Sequence, residues 1–283
     1  MKKNKISVML MCALLLSSLF SSCANSSNAT SAKPADTAAP SMASSDVVPE
    51  SALPSPSQGN TPPPSPSPSL SGQGFAFEEK TYVKDAVFIK YPQLTGMSDR
   101  AVQETLNTFI SDTALRDVKD LISGTEYELN YKVTFNSPAV ISMYFDGYAY
   151  VPETVHPYQF LRTVTIDVAR QATVPLPALV SIDEGFVGVI QSGRYSAMGY
   201  DMTEEYEAAI KDNLTSMDED FWIHELRNAD TEGTATSSFL TEEELAISVS
   251  VPHVMGDHIE IYLPFKALEG YQTDNPVWQE IEK

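Results

Sequence analysis

EYELNYKVTFNSPAVISMYFDGYAY, residues 126–150, alternates apolar and polar side chains on both sides of a short break. Tyr127, Leu129, Tyr131, Val133 and Phe135 alternate with Glu128, Asn130, Lys132 and Thr134, and the break is Asn136, Ser137 and Pro138. Ile141, Met143 and Phe145 then alternate with Ser142, Tyr144 and Asp146. A period of two places successive side chains on opposite faces of a strand, so the stretch reads as two strands joined by a turn. Residues 160–168 alternate again. Three strands at such short spacing imply an antiparallel meander with one solvated face.

Working outward, residues 81–91 read as a strand with Val83, Val87 and Ile89 on one side. Pro92 is expected to end it, because proline donates nothing to a ladder. Ser98 reads as the N-cap of a helix whose apolar positions are Val102, Leu106, Phe109, Ile110, Ala114, Val118, Leu121 and Ile122, closed by Gly124. That stripe is one face wide, so the helix should lie on a sheet. A second helical region covers 184–192 and 202–214, with Phe221 and Trp222 available to pack, and two further strands are expected at 245–251 and 259–265. Helices interspersed with antiparallel strands define an α+β protein. A division near Pro175 would give two closely associated sub-domains, 75–174 and 175–283.

The first 74 residues have a different composition. Lys2, Lys3 and Lys5 precede an apolar stretch at 6–20, shorter than the roughly 20 residues that a spanning helix needs. A charged start, a short apolar run and then small residues is the layout of a signal peptide, here residues 1–22. Leu19, Phe20, Ser21, Ser22 and Cys23 resemble a lipobox, whose cysteine thiol is alkylated by diacylglycerol before cleavage exposes it. Lipidation of Cys23 would tether the chain to the outer surface of a bacterial cytoplasmic membrane. The other cysteine of the chain is Cys12, inside the removed segment, so no disulfide is expected in the mature protein. Residues 24–74 hold 13 Ser, 10 Pro and no aromatic residue. Such a segment cannot bury enough apolar surface to offset its ordering entropy, and 23–74 is expected to be a disordered tether.

The remaining 209 residues carry a large negative charge. Of the 18 basic residues Lys2, Lys3, Lys5 and Lys33 lie before residue 75, and of the 38 acidic ones Asp36, Asp46 and Glu50 do, leaving 14 and 35 for a net charge of −21. Nucleic acid and anionic headgroups would be repelled. A basic protein would be attracted. The competing reading of the charge is solubility in an exposed compartment.

Little of the sequence points to catalysis. His253, Asp257 and His258 in VPHVMGDH are the weak candidates for a metal site, but Pro252 and Gly256 mark a loop in which His and Asp commonly serve turn hydrogen bonds. His224 and Glu225 begin like HExxH, but Asn228 stands where the second histidine belongs. There is no Gly-x-Ser-x-Gly elbow and no phosphate-cradling glycine loop. No metal and no cofactor are expected. The candidate binding residues are Tyr144, Asp146, Tyr148 and Tyr150 on the polar side of the 140s strand, with His156 nearby. Tyrosines beside an acid suit a sugar ring or a basic protein surface. The competing expectation is that the second helical region covers this side and makes the tyrosines core.

VFIKYPQLTG (87–96), VQETLNTFI (102–110), YKVTFNSPAVISMYFDGYAY (131–150), VHPY (155–158) and TVTIDV (163–168) resemble a paired extracytoplasmic domain of unknown function. That pair is found in the lysozyme-sensing anti-sigma factor RsiV and beside the catalytic domain of the peptidoglycan deacetylase PdaC. FLTEEELAISVSVPHVMGDHIEIYLPFKAL (239–268) resembles the second member. The sequence lacks the transmembrane helix and cytoplasmic domain of the former and the metal-binding catalytic domain of the latter. The resemblance therefore implies a non-catalytic recognition module, with a cationic lysozyme-like protein or cell-wall peptidoglycan as partner. The alternative expectation is an envelope hydrolase or deacetylase with an unrecognised site.

Overall fold

A computed structural model describes residues 74–281 of the chain. Cys23, the signal peptide and nearly all of the expected tether lie outside the described residues. The protein is of the α+β class, with two mainly antiparallel sheets and several packed helices.

The meander forms as its alternation requires. Strands β1 (Ala76–Lys84), β2 (Val87–Thr95), β3 (Glu126–Asn136), β4 (Val140–Tyr150), β5 (Tyr158–Asp167) and β6 (Ala172–Thr173) lie in that order in one sheet. All neighbours are antiparallel except β2 and β3, which pair parallel over Val87–Ile89. A parallel pair needs a crossover, and helix α1 (Arg100–Ala114) supplies it. Leu106 and Ile110 of α1 are fully buried in one core with Ile89 of β2, Ile141, Met143 and Phe145 of β4 and Ile166 of β5.

Four local expectations are corrected here. Residues 81–91 are two strands, turned at Asp85, whose φ of 53° is left-handed; Val83 faces opposite to Val87 and Ile89 as a result. Pro92 does not end β2. It lies beyond the three residues that pair with β3 and opposes Glu79 of the outer strand β1, where one sheet neighbour is all the chain has. The N-cap of α1 is Asp99, not Ser98: its carboxylate accepts from the Ala101 and Val102 amides. The helix stops at Ala114, ten residues before Gly124. Val118, in a turn, and Leu121, in irregular backbone after it, still pack on the core, so helical spacing met the need for burial without a helix.

The second sheet runs β7 (Arg194–Ser196), β10 (His258–Pro264), β9 (Glu244–Ser250), β8 (Ser237–Leu240). Leu245, Ile247 and Val249 of β9 and Ile259, Ile261 and Leu263 of β10 point to a helical layer. That layer comprises α2 (Leu176–Leu179), α3 (Glu184–Gln191), α4 (Glu204–Thr215), α5 (Glu219–Arg227) and α6 (Val277–Ile281). Its largest members are satisfied as well as buried: Trp222 Nε1 donates to the Leu214 carbonyl at 3.0 Å, and Trp278 Nε1 to that of Leu179 at 2.8 Å. The other face of this sheet lies on the first sheet. Leu161, Phe239 and Ala246 form a small shared core there, joined by Tyr144 and Tyr262. The order of layers is therefore α1, first sheet, second sheet, helices.

Asp230 ties the two sheets together. With φ at 64°, it accepts from the Ser238 amide (2.7 Å) and hydroxyl (2.6 Å) on β8, from Thr163 Oγ1 (3.0 Å) on β5 and from the Leu176 amide (2.8 Å) at the start of α2. Burial raises its pKa, and those four donors act against the rise.

Candidate functional site

The polar side of β4 divides in two. Ser142 and Tyr144 face the second sheet: Ser142 Oγ accepts from the Leu240 amide at 2.9 Å, and the Tyr144 and Phe239 rings are 5.2 Å apart. The cover is thus a sheet, and the expectation that helices cover this side is corrected. The period of β9 and β10 explains it, because their fully apolar side already takes the helices and their mixed side remains for the first sheet. Burial drives the Tyr144 phenol well above its usual range.

Beyond Asp146 the face is open. Tyr148 lies across from Glu128, and Tyr150 across from Glu126. The register continues the row outward, Glu128 beside Phe88 and Phe88 beside Val83, and inward from Tyr148 to Gln159 of β5. Val83, Phe88 and Tyr148 are 64%, 38% and 39% exposed. One line of side chains thus crosses five strands, apolar and aromatic with an acid in its middle. The sequence pattern supplied Tyr148 and Tyr150; Glu126, Glu128 and Phe88 join them only through strand order.

Asp146 stands at the border and meets a buried pair. His258 Nδ1 is 2.7 Å from Glu260 Oε1, with the two residues 5% and 0% exposed. The Ser248 hydroxyl is 3.4 Å from the same oxygen. His258 Nε2 and Glu260 Oε2 have no hydrogen-bond partner. Asp146 has its pKa raised by burial first, then by the charges of Glu260 and Glu128, while His258 acts in the opposite direction. Sequence reading missed Glu260, since an acid inside HIEIYL looks like the solvated side of a strand.

Of the three weak metal candidates in this loop, the fold pairs two and turns the third elsewhere. His253 Nδ1 is 2.9 Å from Asp257 Oδ1, while Asp257 Oδ2 accepts from the Gln159 amide at 2.8 Å. His258 turns to Glu260 instead. His156 stacks on His253 with ring centroids 5.2 Å apart. Among the described residues no group of three His, Cys, Asp or Glu side chains is placed to hold a metal ion.

A cleft of about 490 Å³ opens beside this loop, with Asp117, Phe160, Arg162, Gly233, Val251 and His258 in its walls. Its best-held member is Arg162. The guanidinium lies over the Phe160 ring at 4.8 Å, donates to Asp117 Oδ2 at 3.2 Å and to the Leu161 carbonyl at 3.1 Å, and leaves Nε unpartnered. Asp117 also accepts from the Tyr127 hydroxyl at 3.0 Å, and burial first, then the Asp117 charge and this bond, raise that phenol's pKa. Phe160 fits because Gly147 opposes it, and the ring occupies the space a Cβ would take.

Fold and site together define an α+β protein of two stacked sheets with an open acidic-aromatic face and a charged cleft at the seam. No family model and no curated protein matches the chain. Similar solved structures include a DUF3298 family member from Bacteroides fragilis, 12% identical, covering 74% of this chain and 98% of that one with a TM-score of 0.49. A DUF3298 family protein from Pseudomonas aeruginosa is 13% identical over 71% of this chain and 94% of its own, with a TM-score of 0.37. At that level neither likeness bears on the chemistry of this chain.

Proposed function

We propose that the protein is a non-catalytic recognition module of the bacterial envelope, held by lipid on Cys23 at the outer surface of the cytoplasmic membrane. Its acidic domain binds a cationic protein, with a lysozyme-like wall-degrading enzyme as the specific candidate. The observation that carries this reading is the pairing of exposed Tyr148 with exposed Glu128, and of half-buried Tyr150 with exposed Glu126. Aromatic anchors flanked by acids suit a surface rich in Arg and Lys, through stacking on guanidinium planes and charge-assisted hydrogen bonds. The net charge of −21 over residues 75–283 adds long-range attraction for such a partner. The purified chain, immobilised, is expected to retain lysozyme at moderate ionic strength and to release it as salt rises. Tyr148→Ala and Glu128→Lys should weaken retention. Absence of retention, or retention indifferent to both substitutions, would sink the proposal.

A second reading, an envelope hydrolase or deacetylase, has one observation in its favour. The carboxylate of Glu260 orients His258, whose other ring nitrogen is buried without a hydrogen-bond partner, and His258 borders the cleft. Such an imidazole is suited to general-base work. Incubating the chain with peptidoglycan fragments, with and without chelator, separates the readings: turnover favours the enzyme, and its absence favours the binding module.

A further inference from the structure

Two loops from different sheets meet at one end of the seam. The loop 151–157 joins β4 to β5 in the first sheet, and the turn His253–Met255 lies between β9 and β10 in the second. Three of the chain's four histidines, His156, His253 and His258, stand at this end. The loops touch through two of them: the exposed rings of His156 and His253 stack with centroids 5.2 Å apart and planes 23° from parallel. The loop's own hydrogen bonds stay within it. The Thr154 amide and hydroxyl donate to the Val151 carbonyl, and the hydroxyl also reaches that of His156. Glu153 holds a left-handed φ of 69° there, a conformation that persists only while surrounding contacts impose it. Planes so close to parallel do not aim their nitrogen lone pairs at one point, so the pair is not built as a metal chelate.

We propose that this stack is an acid-released clasp: uncharged rings hold the β4–β5 loop to the second sheet, and a proton on both rings frees it. Imidazole is the side chain whose charge changes between about pH 5 and 8. Neutral rings at this spacing attract, whereas two imidazolium ions repel. The groups around the pair offset only one of those charges. Asp257 is the carboxylate in contact, with Oδ1 2.9 Å from His253 Nδ1 and Oδ2 accepting from the Gln159 amide of β5 at 2.8 Å. From α4 the Tyr206 hydroxyl donates to the Met255 carbonyl at 2.7 Å; burial pushes that phenol up to about 12, so it stays uncharged. The Tyr200 ring lies against Gly256. On β10 the His258 ring is turned to Glu260, with Asp146 of β4 beyond them. Tyr158, whose phenol burial also raises, begins β5, and Glu153 is exposed in the loop itself. One proton on the pair is therefore matched by Asp257, and the second sets two like charges face to face. Release frees a loop that follows Tyr150 and carries Val155, 83% exposed, while both cores stay packed. The clasp stands independently of the partner proposed above.

The test is nuclear magnetic resonance of the purified, isotope-labelled chain at pH 8 and pH 5. Cross-relaxation between the two imidazole rings should be present at pH 8 and absent at pH 5, with the Trp222 and Trp278 signals unmoved. The hydrogen-exchange protection factor of the Gln159 amide, corrected for the intrinsic pH dependence, should fall about tenfold, the scale of repulsion between two partly screened charges at this spacing. His156→Phe keeps a ring but takes no proton, so it should hold the Gln159 protection at both pH values. His156→Ala should lower it at both. His224→Gln, at an exposed position on α5, should leave the transition intact. Ring contact that persists at pH 5, or is missing at pH 8, overturns the proposal. So does a transition that survives in His156→Phe or vanishes in His224→Gln, or a loss of protection shared by the core amides, which would be general acid destabilisation.

Discussion

Replacing Asp230 with alanine tests whether one buried carboxylate holds the sheets and the helical layer in register. The substitution strands the Leu176 and Ser238 amides, in residues 0% and 2% exposed. Each buried donor left unpaired costs about 1–3 kcal/mol. The hydroxyls of Thr163 and Ser238 can turn to other acceptors and add less. Alanine also tolerates the left-handed backbone at φ 64° less well than aspartate, a cost on the order of 1 kcal/mol. Against these stands relief from burying a carboxylate whose pKa burial has raised. The expected net loss is about 3 kcal/mol, or roughly 6–12 °C in Tm at about 2–4 °C per kcal/mol for a domain of this size. Urea denaturation followed by Trp222 and Trp278 fluorescence measures the helical layer, and hydrogen exchange of β3 to β5 measures the first sheet. Both should lose stability together, because Asp230 touches β5, β8 and α2. Asp230→Asn keeps the shape and one acceptor, so it should lose less than alanine does. A loss below about 1 kcal/mol with alanine would refute the reasoning, since it would mean the two amides find other partners. A loss confined to the helical layer would show instead that the two halves on either side of Pro175 unfold as separate units.

Asp146→Asn should stabilise the protein at neutral pH. A carboxyl with a raised native pKa binds more protons folded than unfolded, so its ionisation costs stability as pH rises through the native value, and the cost is absent below the unfolded value of about 3.9. Denaturation at pH 7 and at pH 3.5 should therefore show a gain that disappears in acid; an equal gain at both would refute it. Trp222→Ala removes a side chain 2% exposed and should cost about 3–5 kcal/mol, readable as a fall in the urea midpoint. Gly147→Ala drives a Cβ into the Phe160 ring and should displace the Arg162 stack, seen as new chemical shifts around the cleft; unchanged shifts would mean the ring moves freely.

Much of this molecule is legible along the chain. The alternation of residues 126–150 defines two strands, because a period of two admits no helix. Trp222 and the stripes of α3 and α4 find the helical layer, since aliphatic and aromatic residues at helical spacing have only one way to leave water. What alternation cannot say is what covers the polar side. Ser142 and Asp257 look solvated in sequence, yet their partners, Leu240 and Gln159, are each 98 residues away. His258 and Glu260 alternate with Ile259 and Ile261 as if facing solvent, and only the stacking of the second sheet on the first buries them. Tertiary contact also decided that α1 ends at Ala114 and that Pro92 lies inside a strand, because burial of Val118 and the single-neighbour edge of β2 satisfied the chain without the local rule. The row from Val83 through Phe88 and Glu128 to Tyr148 belongs wholly to strand order. Its members lie up to 65 positions apart, and adjacency across a sheet leaves no local trace.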